Sequence, residues 1–108
     1  MTPEPWMRDL QEGYIRNLPA KLDEIRNLVL RARAAPTDTE AIRSLAHAVQ
    51  RIVGSAGTYG FPAISDSLGP AARMLAQAED GRLPMSGPDL ARLLDLLDSV
   101  ADDLPRSG

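Results

Sequence analysis

At 108 residues, with 44% hydrophobic and 25% charged residues, the chain suits one domain over residues 1–108 with a single modest core, and is too apolar to be disordered. The absence of cysteine excludes disulfide scaffolds, thiolate metal sites and cysteine nucleophiles. With a net charge of −3 and scattered arginines there is no basic stripe for nucleic acid, and no apolar run of membrane length or signal-peptide layout at Met1–Pro5, so a cytoplasmic protein without membrane insertion is expected.

Strand signals are sparse and apolar residues recur at helical spacing, which predicts an all-α fold. An opening helix is expected from about Glu4 to Asn17, carrying Trp6, Leu10, Tyr14 and Ile15. Pro19 suits the first turn of a second helix, where its missing N–H costs nothing. That helix presents Leu18, Leu22, Ile25, Leu28 and Val29, and is expected to end near Arg33, before Ala34-Ala35-Pro36. Thr37-Asp38-Thr39-Glu40 fits a capping box, in which hydroxyl and carboxylate satisfy backbone N–H groups left unpaired by the first turn.

The third helix then shows a nearly continuous seam of Ile42, Leu45, Val49, Ile52, Val53 and Ala56, before Gly57 and Gly60 loosen the backbone. A fourth is expected from about Pro62 to Ala78, with Ile64, Leu68, Ala71, Ala72 and Leu75 inward and a kink at Gly69-Pro70. Glu79-Asp80-Gly81 reads as a stop and turn. Ser86 is placed to cap the last helix, with Pro88 early, Asp89 near the positive end of the helix dipole, and a face of Leu90, Leu93, Leu94, Leu97, Val100 and Ala101. Short turns between such helices predict an antiparallel four-helix bundle with a short additional N-terminal helix across one end.

The stretch richest in chemistry is Leu45-Ala46-His47 through Gln50-Arg51-Ile52-Val53-Gly54-Ser55-Ala56-Gly57-Thr58-Tyr59-Gly60-Phe61. At about 100° per residue the apolar seam faces one way, and His47, Arg51 and Gly54 face the other, flanked by Arg43 and Gln50. A glycine on the exposed side of a helix costs roughly 1 kcal/mol relative to alanine, and close approach of another surface is the usual compensation. A solvent-facing imidazole offers a nucleophilic ring nitrogen, and the guanidinium groups of Arg43 and Arg51 could hold a phosphoryl group attached to it.

On these residues the chain resembles the histidine-phosphotransfer (HPt) family of two-component signalling. Gly54-Ser55-Ala56-Gly57-Thr58-Tyr59-Gly60-Phe61 is similar to the glycine-containing segment after the family's phosphorylated histidine, whose pattern is His-x-Leu-Lys-Gly-Ser-x-Gly-x-x-Gly. The resemblance implies a bacterial, cytoplasmic module whose partners are a response-regulator receiver domain, a histidine kinase or both. It implies no cofactor and no independent enzyme activity, since receivers supply the Mg²⁺ and most of the catalytic groups. It also implies receiver docking through Gln50, Arg51, Gly54, Ser55 and Gly57.

The chain departs from the pattern at its chemical centre. Four residues before Gly54 stands Gln50, where the family has histidine, and Val53 stands in place of its lysine. His47 lies three residues earlier still. Either His47 is the phosphoacceptor, with Arg43 and Arg51 stabilising the phosphate, or the domain docks without carrying phosphate. A purely structural helical role is the third alternative.

Simpler accounts compete residue by residue. His47 can be an ordinary exposed histidine, the arginines a solvated face, and Gly57 and Gly60 a helix ending. Trp6 and Tyr14 read as a lid over the end of the bundle, and Asp95, Asp98, Asp102 and Asp103 as a solvated acidic face and no metal site. The proline-rich start and Pro105-Arg106-Ser107-Gly108 resemble linker remnants of a longer signalling protein.

Overall fold

Residues 5–35, 38–80 and 85–104 are described by the computed structural model, and among them there is no strand. Four helices form: α1 (Pro5–Ala34), α2 (Thr39–Thr58), α3 (Pro62–Glu79) and α4 (Gly87–Asp102). The all-α bundle expected from periodicity is therefore present.

The separate N-terminal helix is not. α1 is a single 30-residue helix with Pro19 inside it. A proline in a helix interior costs about 3 kcal/mol or more through a lost bond and a clash. Against this, Ile15, Leu18, Leu22, Ile25 and Val29 form one buried stripe across Pro19. Each such side chain gains about 1.5–3 kcal/mol on burial, so keeping the stripe in phase outweighs the proline. At about 1.5 Å per residue, α1 also accounts for most of the molecule's 47 Å length. The same balance holds in α3, which runs unbroken through Gly69-Pro70, with Leu68, Ala71, Ala72 and Leu75 buried around an exposed Pro70.

The helices pack in a ring, α1 against α2 and α4, and α3 against α2 and α4. Contacts fix their antiparallel sense. Gln11 and Tyr14 near the start of α1 bond to Tyr59 and Ser55 at the end of α2, and Ser65 early in α3 bonds to Val53 late in α2. Arg26 and Asp98 join α1 to α4 in an exposed ion pair of the kind that contributes little to stability. Leu18, Leu45, Leu68, Leu75 and Leu97, all fully buried, centre the core, while Leu28, Leu94, Ile42 and Val53 sit half-buried at its edge and Ala101 is exposed.

Capping differs from expectation at one end and agrees at the other. The N-cap of α2 is Asp38, whose carboxylate accepts from the N–H groups of Glu40 and Ala41 at 3.0 and 3.2 Å. Thr37 and Gly81 lie outside the described residues. Ser86 caps α4 in a full capping box with Asp89, and its hydrogen bond holds the Asp89 carboxyl below the ordinary aspartate range.

The α2–α3 turn is held by an aromatic stack and one glycine. Tyr14 stacks on Tyr59 at 4.8 Å and on Phe61 at 5.9 Å, and Gln11 Nε2 donates to the Tyr59 carbonyl at 2.9 Å. Gly60 has φ +89°, and a Cβ there would lie 2.6 Å from Gln11 Nε2. Gly60→Ala is therefore expected to cost about 1–3 kcal/mol, read as a lower urea midpoint with an unchanged m value. An unchanged midpoint would mean that this turn does not need glycine.

Candidate functional site

The outer face of α2 follows from its helical period. Ala41, Leu45, Ala46, Val49, Ile52 and Ala56 are buried, which leaves Arg43, His47, Gln50, Arg51, Gly54 and Gly57 exposed in one strip. The structure thus brings together most of the residues that the sequence singles out. Ser55 is the exception, being half-buried at the α1 side with its hydroxyl 2.9 Å from that of Tyr14. Gly57 lies toward α3, where an added Cβ would touch the Ser65 hydroxyl at 3.5 Å.

Gly54 has no packing reason to be glycine. Nothing lies within 4 Å of where its Cβ would stand, and its φ is not positive. Its carbonyl accepts the Thr58 hydroxyl at 3.1 Å. The result is a patch of bare helix backbone, one turn after Gln50 and two turns after His47. Val53 is packed against the core, and its carbonyl accepts from Ser65 at 2.6 Å.

His47 is not alone. Its Nε2 lies 3.2 Å from Glu79 Oε1, and Arg43 Nε lies 3.9 Å from the same oxygen. The imidazole is 57% exposed, whereas Glu79 is only 25% exposed at the end of α3. At 3.2 Å the Glu79 carboxylate sets negative charge against the Nε2 edge of the ring, which repels an incoming phosphoryl group. Sequence reasoning missed Glu79, reading it only as part of a stop. An antiparallel α2–α3 hairpin about Gly60 brings residues similarly distant from the turn close together, and that was the available signal.

On the other flank, Arg51 and Lys21 line a depression of about 110 Å³ between α1 and α2, shared with Glu24, Ala48 and Ser55. Lys21 Nζ stands 6.0 Å from the centre of the Tyr14 ring. Burial, the largest influence, pushes the Tyr14 phenol above its usual range, against the lowering effect of the Ser55 bond. Tyr14 is buried at this end of the bundle, stacked on Tyr59 and Phe61. Trp6 does not cover the bundle end as expected, being 58% exposed, because α1 carries it outward past the aromatic stack.

Among the acids of α4, Asp98 pairs with Arg26, and Asp95, Asp102 and Asp103 are exposed. Among the described residues no group of three His, Asp or Glu side chains is arranged to hold a metal, and no helix is long and apolar enough to cross a membrane.

Residues 9–103 match the family described as Hpt domain, a span that takes in α1 from Asp9 onward and the whole of α2, α3 and α4. No curated protein and no solved structure matches the chain.

Proposed function

Because the chain belongs to the Hpt domain family, a family of phosphorelay modules, we propose that it docks a response-regulator receiver domain through the α2 face around Gly54 and carries no phosphate itself. The observation that carries this reading is Gly54, an exposed helical glycine with open space around it, one turn after a glutamine in the histidine's register. Docking contacts come from Gln50, Arg51, Gly54 and Gly57, with Ser55 at the edge. Residues 1–108 act as one unit in this reading, within a bacterial, cytoplasmic signalling pathway.

A second reading keeps His47 as the phosphoacceptor, held by Arg43 and Arg51. What favours it is the exposure of the imidazole, with Arg43 beside it. What weighs against it is the engagement of Nε2 by Glu79.

Gly54→Arg tests the docking surface. The side chain enters open space and leaves the fold unchanged, yet it occupies the volume a partner backbone would need. Arginine is the better helix former, so the variant should be more stable than wild type by up to about 1 kcal/mol. Binding to receiver domains, measured by calorimetry across a panel, is expected to fall at least about a hundredfold, on the scale of a central hot-spot loss of roughly 2–4 kcal/mol. Equal affinity for wild type and variant would sink the assignment of this face.

A further inference from the structure

The docking reading puts Gln50 where it would meet the receiver's aspartyl phosphate, since it occupies the register from which a histidine would take the phosphoryl group. Resting on that reading, we infer that this chain promotes hydrolysis of the aspartyl phosphate, with the Gln50 carboxamide orienting the attacking water.

The side chain suits the task. Gln50 is exposed on a regular turn of α2, and no hydrogen bond among the described residues ties down its amide. A carboxamide has an acceptor oxygen and two N–H donors, so it can accept from a water and donate to a phosphoryl oxygen together. Orienting the water that attacks a phosphoryl group is the role a glutamine has in GTPases. The open backbone at Gly54 lets a partner come close enough for this reach, and the neighbouring Arg51 adds a cation at the rim.

The alternative fates of the phosphoryl group are disfavoured on this face. An amide is no nucleophile, and the Nε2 of His47 is turned to Glu79. A surface that only docks would also gain from a short side chain at its centre, because glutamine loses more rotamer freedom on burial than alanine.

The step balances with water as the only added reactant. The water oxygen bonds to phosphorus, and the bond from phosphorus to the aspartyl carboxylate oxygen breaks. Its electron pair leaves with the carboxylate. One proton of the water stays on the oxygen now bonded to phosphorus and the other passes to solvent, giving hydrogen phosphate and a free aspartate carboxylate.

The test uses the full chain and a receiver domain that binds it, loaded from acetyl phosphate and Mg²⁺ and freed of donor. Loss of aspartyl phosphate is followed in water enriched in oxygen-18, with the chain at concentrations that saturate the receiver. Wild type is expected to speed the loss at least about tenfold, a threshold set below the roughly hundredfold that correct positioning can be worth. The label should appear in inorganic phosphate, and no phosphate should appear on the chain. Gln50→Ala and Gln50→Glu should return the saturated rate to that of the receiver alone, whatever they do to affinity.

A chain that binds without changing the rate overturns the inference and leaves the docking proposal standing. So does label on the aspartate carboxyl, or acceleration that survives both variants. Phosphate arriving on His47 overturns both the inference and the phosphate-silent reading. Failure of every receiver to bind removes the docking proposal and the inference with it.

Discussion

Replacing Gln50 by histidine is expected to produce a protein that takes phosphate from a loaded receiver where the natural chain takes none. Position 50 is exposed on an unbroken stretch of α2, one turn before Gly54, so the new imidazole would project from the face proposed to meet the receiver. Glu79, the carboxylate set against His47, makes its contact one turn earlier on the helix. A neutral imidazole would then offer a free ring nitrogen to the phosphoryl group.

In the proposed register Val53 supplies no cation beside the new imidazole, so the transfer should be slow. The change is nevertheless from none to measurable. The readout is acid-labile, base-stable label on the chain, which His47→Gln should leave unaltered in the Gln50→His background. Label on the wild-type chain that vanishes with His47→Gln would instead establish His47 as the carrier. No uptake by Gln50→His from a receiver that binds it would remove Gln50 as the site's centre.

The largest structural effect is expected at Leu45, which is fully buried on the inner side of the same helix. Leu45→Ala should cost about 2–5 kcal/mol, the sum of lost burial and an unfilled cavity. Since domains of this kind hold only about 5–15 kcal/mol in total, this is a large share. The melting temperature should fall by more than roughly 10 °C. Leu30, 47% exposed on α1, supplies the control. Leu30→Ala should change stability by about 0.5 kcal/mol or less. Equal losses at the two positions would contradict the packing described for α2.

Two sequence expectations failed for a shared reason. Pro19 was expected to begin a helix and Pro70 to kink one, because local propensity penalises interior proline. Both prolines sit on exposed sides of helices whose buried stripes continue across them. Burial of several large side chains exceeds one lost backbone bond, and only the packed arrangement reveals that sum. The α2 cap moved for a smaller reason. Thr37-Asp38-Thr39-Glu40 holds several capping side chains, and Asp38 is the one whose carboxylate reaches two N–H groups.

Much of the rest was legible. The seams of α2, α3 and α4, the Ser86 cap and the exposed strip of His47, Arg51 and Gly54 follow from helical period and cap chemistry, which act within a few residues of chain. The register of Gln50 to Gly54 is likewise a matter of spacing alone. Tertiary structure alone decided what surrounds these residues. Glu79 reaches His47 from 32 residues away, Ser55 turns to Tyr14, and no neighbour fills the space at Gly54. A linear pattern says which way a side chain points from its own helix. What it meets there depends on how the next helix is packed, and in this chain that contact sets the imidazole of His47 against a carboxylate while Gln50 stands open to solvent.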